Sequence, residues 1–396
     1  MKFRFAAAWI AAAVIVAGAA CESADTGVEP GGTPGADFSK YVAMGTSVTM
    51  GMASDGVVAA SQQSSWPKLL ANDVGVTFTL PLIESPGCSP PFASPLGLLK
   101  RIDNTTILTT STVCAANSAG VTLPTQNVAI SAQTAAAAVA VVPAAGTLTG
   151  RVLATGQTQA SAMRAQNPTF VSVEFGGGEV LPAMSGLVST GITIATLAAF
   201  TAGYQLVIDN VKATNAKALL VTLPTDLSKF PTVRTGTEIA SQRAALLTHN
   251  VSVNANCDAS ANLITMQKVL GALAQGAIRA AGGLSPFDLS CADVGGSADG
   301  VLTPGDITTL NTLVAGMNAF INAKATENGY ATFSLGVLYD TAKNGIAFDI
   351  NAILTSETPF GPNISLDSVH PSAAGNQILA AAAKAAIVAK YGSITK

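Results

Sequence analysis

The chain has 396 residues, enough for one large or two ordinary domains, and 49% of them are apolar, ample for a core. Charged residues make up only 11%, about half the usual share, so Ser, Thr, Asn and Gln must cover much of the surface. With a formal net charge of −3 and no clusters of Lys and Arg, the composition excludes a nucleic-acid partner.

The N-terminus reads as an export signal over residues 1–20. Lys2 and Arg4 form a short basic start, Phe5 to Ala20 are almost wholly apolar, and Gly18-Ala19-Ala20 precede Cys21. Small residues directly before a Cys resemble a bacterial lipobox, which implies lipidation of Cys21. On that reading the protein is exported and lipid-anchored to the cell envelope, at the outer membrane or periplasmic face, and meets the membrane through that lipid alone. Residues 21–37 are rich in Gly, Pro, Ser and acid and read as a flexible tether, leaving 38–396 for the folded domain. Four further cysteines remain, Cys88, Cys114, Cys257 and Cys291. In an oxidising compartment an even number favours two disulfides, and proximity favours Cys88–Cys114 and Cys257–Cys291. Three pairings are open on paper, as are free buried thiols.

The domain begins with a short apolar run, Lys40 to Met44, that enters a Gly45-Thr46-Ser47 turn and reads as a buried strand. A helix follows around Trp66 to Asn72, then a second strand over Thr77 to Ile83. Residues 85–125 carry five prolines, two cysteines and no periodicity, so they read as a disulfide-closed excursion: a lid or pocket wall, or a plain surface loop. Asn127 to Ile130 is another strand-like run. Thr169 to Phe175 alternates and runs into Gly176-Gly177-Gly178-Glu179; a helix covers Thr196 to Thr214, and Ala218 to Leu223 is continuously apolar, as a strand covered on both faces would be. Leu302 to Asn328 is the clearest helix, with Thr303 to cap it, Pro304 at its first position and Gly329 at its stop. A strand pattern over Ala331 to Tyr339 and an Ala-rich helix over Ser372 to Ala389 close the chain. Strands alternating with helices predict an α/β fold, a three-layer α/β/α sandwich on a mostly parallel, flavodoxin-like central sheet.

Histidine occurs only twice. His249 has no Asp or Ser at an informative spacing and reads as a surface or capping residue. His370 stands three residues after Asp367, in a loop-like segment just before the last helix. A serine hydroxyl is a poor nucleophile until a base takes its proton, and an aspartate fixes the tautomer of that base. Ser47, His370 and Asp367 are therefore the candidate nucleophile, base and orienting carboxylate. No metal-type CxxC or HExxH spacing occurs, Asp293 to Asp306 does not fit a calcium loop, and the three glycines lack phosphate-loop spacing. No cofactor is implied.

With these blocks in place the chain resembles the SGNH or GDSL hydrolases over roughly residues 38 to 393. Tyr41 to Gly51 looks like the family's first block, where Gly-Asp-Ser-Leu carries the nucleophile, and Asp367-Ser368-Val369-His370-Pro371 looks like its last, Asp-x-x-His. Asn127 to Ala132 lines up with the second block, whose glycine gives a backbone N–H, and Gly176 to Glu179 with the third, Gly-x-Asn-Asp. Leu223-Pro224-Thr225-Asp226 and the Leu302-Thr303-Pro304 helix start are also similar to bacterial members. The resemblance implies an oxyanion hole from the N–H groups of Ser47 and Ala132, with Gly178 at the place of the family asparagine. It departs from the family at three positions: Thr46 replaces the aspartate, Ala132 a glycine and Gly178 that asparagine. The expectation is a carboxylic ester hydrolase with a weakened oxyanion hole, acting on a small-molecule, lipid or glycan ester. The alternative is an impaired relative that binds a glycan or lipid without turning it over.

Overall fold

The computed structural model describes residues 35–109, 114–343 and 345–396. The export signal, Cys21 and the tether up to residue 34 lie outside the described residues. Four strands form a fully parallel sheet in chain order: β1 Tyr41–Gly45, β2 Phe170–Glu174, β3 Lys217–Thr222 and β4 Ala331–Ser334. Every residue of β1 and β2 is buried, including the polar Ser172 and Glu174 of β2. The register pairs Gly45 with Glu174, and Glu174 with Val221, so the carboxyl ends of the three strands come level.

Asn127–Ile130 lies along the free edge of β1. Ala43 N donates to Gln126 O, and Val128 N and Ile130 N donate to the carbonyls of Ala43 and Gly45. Asn127–Ile130 thus sits on one side of β1 and β2 on the other. This is the 2-1-3-4-5 order of doubly wound sheets, in which the crevice opens at the carboxyl end of the first strand.

Helices cover both faces. Among them, in chain order, are α1 Ser47–Met50, α2 Trp66–Val74, α3 Leu197–Lys212, α4 Met266–Ala281, α5 Pro304–Asn328 and α6 Ala373–Tyr391. α6 packs on α2 and β4, while α5 packs on β3 and α3, giving the three-layer α/β/α arrangement. The start of α5 is a reciprocal cap: Thr303 accepts from Asp306 N, and Asp306 accepts from Thr303 N. Gly329 ends it at φ 67°.

Several expected elements differ. Thr77 to Ile83 is not a strand; apart from one bridge from Ile83 to Asn117 it is irregular, its backbone tied down by side chains such as Gln126 and Gln62. The strand at Ala331 stops at Ser334, and Gly336–Tyr339 turns helical. Between β3 and α5 stands an unexpected three-stranded antiparallel sheet, Val233–Thr235, Leu263–Thr265 and Val301–Leu302, followed in its middle by α4. Its strands are three residues or fewer, too short for periodicity to register. Disulfides join Cys88 to Cys114 and Cys257 to Cys291. Among the described residues no helix is long and apolar enough to cross a membrane.

Candidate functional site

The first strand ends at Gly45, whose backbone lies against β2 so closely that a Cβ would sit 2.5 Å from Glu174 O. Only glycine lets the chain turn there. Ser47 then opens α1 at the carboxyl edge of the sheet and is 4% exposed.

Glu174 is the residue that sequence reasoning missed. Its carboxylate accepts Thr46 N at 3.0 Å, Thr46 Oγ1 at 2.8 and 3.0 Å, and Thr49 N at 3.3 Å. The acidic group absent from position 46 is thus supplied from the adjacent strand, clamping both ends of the turn that presents Ser47. Burial pushes the Glu174 carboxyl up from its ordinary value, and the hydrogen bonds from Thr46 and Thr49 partly offset that. The only sequence signal was a charged residue at the end of a fully buried strand.

Asp367 and His370 come from a tight loop closed by Ser365 N donating to His370 O. The imidazole Nδ1 lies 2.7 Å from Asp367 Oδ2, and the opposite oxygen, Oδ1, accepts Val369 N, His370 N and Ser365 Oγ. Oδ2 also accepts Asp55 N at 2.6 Å, so the loop after α1 grips the carboxylate from the far side. Burial works to raise Asp367, but His370 and the backbone donors outweigh it and hold its pKa down at about 2. Burial also works to lower His370, and the charge and hydrogen bond of Asp367 carry it above its ordinary value, helped by Asp55 and Glu174. An aspartate–histidine pair in this geometry presents Nε2 as a proton acceptor.

Ser47 and His370 line one apolar cavity of about 40 Å³, walled by residues including Leu181, Leu223, Leu227, Phe230 and Val314. Among the described residues no hydrogen bond joins Ser47 Oγ to His370. Gly177 and Thr46 border the same cavity. A second, wider cavity of about 330 Å³ touches His370 and Asp367 from the other side, between the 85–109 excursion and α4.

The three sequence-predicted oxyanion positions fare differently. The backbone N–H groups of Ser47 and Ala132 make no hydrogen bond among the described residues. Ala132 sits at φ 62°, the left-handed conformation that favours glycine, so the backbone shape of a glycine survives the substitution. Gly178 has no room for a side chain: its Cβ would lie 2.3 Å from Gln133 O. A Cβ on the neighbouring Gly177 would meet only Thr46 Oγ1 at 3.4 Å and Leu181 Cδ1 at 3.7 Å. His249 stands at the C-cap of the helix Arg243–Thr248, away from this site.

Among the described residues no group of His, Cys, Asp and Glu could hold a metal ion. No family model matches the chain, and no curated protein is significantly similar to it. Among solved structures it is similar to an extracellular lipase from Streptomyces rimosus, at 14% identity over 88% of this chain and 99% of that one, TM-score 0.36. It is also similar to a phospholipase A1 from Streptomyces albidoflavus, at 13% identity over 88% and 99%, TM-score 0.37. An acetylxylan esterase from Geobacillus stearothermophilus shows 13% identity over 90% and 96%, TM-score 0.36.

Proposed function

We propose that the chain is a serine ester hydrolase of the SGNH type. The observation that carries this is the buried Asp367–His370 pair, 2.7 Å apart, facing the cavity that also holds Ser47 at the switch point of the sheet. In the first step the bond from Ser47 Oγ to the ester carbonyl carbon forms while His370 Nε2 takes the hydroxyl proton. Collapse of the tetrahedral intermediate breaks the bond to the alcohol oxygen, and His370 returns the proton to that oxygen. A water oxygen then bonds to the acyl carbon while His370 takes its proton, the bond from that carbon to Ser47 Oγ breaks, and His370 returns the proton to Ser47 Oγ as the acid leaves. Asp367 keeps the proton on Nδ1 and stabilises the imidazolium. The oxyanion is held by the N–H groups of Ser47 and Ala132, with the Gly178 N–H as the third donor.

Loss of a side-chain donor from such a hole costs about 10²–10³ in kcat, roughly 2.7–4 kcal/mol, so activity is expected to be modest. Hydrolysis of p-nitrophenyl butyrate by the folded unit from Gly35 onward tests the reading. Turnover should be present in the wild type and fall at least about 10³-fold in Ser47→Ala. A folded wild type no faster than the mutant would sink it.

One observation favours the second reading, a protein that keeps the cleft to bind a glycan or lipid: the Gln133 carbonyl fills the space a donor side chain at Gly178 would need. The same assay separates the two. Upstream, the sequence Gly18-Ala19-Ala20-Cys21 supports export and lipid anchoring through Cys21. Metabolic labelling with a fatty acid, lost in Cys21→Ser, is the expected outcome.

A further inference from the structure

His370 lies on the boundary between two cavities of unlike size and chemistry, and Ser47 faces only one of them. Given the hydrolase reading, on which this inference rests, the chemistry assigns each cavity a role. The acyl carbonyl must sit against Ser47 and the oxyanion donors. The leaving oxygen must sit against His370, which protonates it. The cavity shared by Ser47, nucleophile and oxyanion donor in one, and His370 is therefore the acyl side, and the cavity that touches His370 without Ser47 is the alcohol side.

The acyl side is a small apolar slot. It offers about 40 Å³, where about 10–15 Å³ holds one water molecule, so it takes an acyl group of about two to four carbons. The alcohol side is about eight times larger, 330 against 40 Å³, and it is amphipathic. Arg101 reaches it from the excursion, its guanidinium stacked 4.8 Å above the Phe92 ring and paired with Asp55 at 2.6 Å. The Arg101 side chain is 5% exposed, yet that of Asp55 is 43% exposed, leaving carboxylate oxygen open to a hydroxyl donor. Gln267, exposed in the first turn of α4, adds a polar side chain to the lining of this cavity. We propose that the enzyme hydrolyses short-chain acyl esters of bulky, hydroxyl-bearing alcohols, and that Leu181 and Gly271 gate the two sides.

Leu181 borders the slot and is only half-buried, so truncating it should open the slot while keeping the fold. Gly271 lines the groove from mid-helix, and a Cβ there meets only Leu108 Cδ2, at 4.0 Å. A large residue at 271 would fill the groove, and it also favours the helix.

The experiment measures kcat/KM for p-nitrophenyl acetate, butyrate and octanoate, and for ethyl acetate against glucose pentaacetate. Wild type should prefer acetate or butyrate to octanoate by about tenfold or more, and Leu181→Ala should erase most of that preference. Gly271→Phe should lower the ratio of glucose pentaacetate to ethyl acetate by about tenfold. Octanoate turned over as fast as acetate, or ratios unmoved in both variants, would overturn the assignment. Thermal shifts of the Ser47→Ala protein with methyl butyrate and methyl decanoate complete the test. Equal shifts overturn the slot. A butyrate-selective shift without any turnover supports the slot and counts against the hydrolase reading instead.

Discussion

Glu174 is the residue on which the nucleophile turn depends most. Its carboxylate satisfies two backbone N–H groups, those of Thr46 and Thr49, in a place closed to water. A buried donor left without a partner costs about 1–3 kcal/mol, so Glu174→Ala should loosen the turn. The expected result is a fall in kcat of about tenfold or more with KM little changed, because the carboxylate is taken up by its bonds to Thr46 and Thr49. Glu174→Gln keeps one acceptor oxygen and should recover most of the rate. It also removes a charge that helps hold His370 above its ordinary pKa, so the acid limb of kcat/KM, which reports the free enzyme, should move to lower pH. A purely structural role would lower Tm in both variants and leave that limb in place.

At the scale of the elements, the segment Gly176–Val180 decides how much of an oxyanion hole can be rebuilt. Putting asparagine at Gly178 would force its Cβ to within 2.3 Å of Gln133 O. Overpacking of that kind costs about 1–3 kcal/mol, so Gly178→Asn should lower Tm and gain no rate. Gly177→Asn meets only ordinary contacts on the cavity side; it should keep its melting temperature and raise kcat if its amide reaches the oxyanion. Melting curves and kcat for the two variants check this. The main elements around this segment were legible in the sequence because they obey local rules. β1 and β3 are largely apolar runs covered on both faces, β2 alternates in a β-rich pattern, and α5 carries Thr303, Pro304 and Gly329 at its ends. The short antiparallel strands at Val233, Leu263 and Val301 were not legible, since two or three residues carry no period. Thr77 to Ile83 misled for the opposite reason: its β-forming residues are held by Gln62 and Gln126 side chains, not by a neighbouring strand.

In the whole molecule, the pairings across the sheet brought together what the sequence kept apart. Asp367 and His370 were legible as a pair because three residues separate them. The grip of Asp55 on Asp367, and of Glu174 on the turn before Ser47, spans 312 and 128 positions, beyond any local signal. The same long-range burial sets a conflict between stability and activity. Glu179 is pushed up to about 7 by burial, only partly offset by the Ala135 N–H, and its Oε2 has no hydrogen-bond partner among the described residues. A carboxyl raised in the folded state contributes stability that is whole below its unfolded value of 4.5 and is lost as pH rises through about 7. The shift corresponds to about 3 kcal/mol. Glu174 and His370 are also raised and act in the same direction. Asp367, held at about 2, adds stability above its ordinary 3.8 that is lost only as pH falls toward 2. Stability should therefore be greatest near pH 4–5 and decline toward alkaline pH, while activity rises there as His370 loses its proton. Thermal melts at acid, neutral and alkaline pH should show wild type losing several degrees across this range. Glu179→Gln, which cannot ionise and keeps an acceptor for Ala135 N, should flatten the decline between about pH 4.5 and 7 and leave the alkaline end unchanged; an unchanged slope between 4.5 and 7 would mean that Glu179 is paired or hydrated in solution.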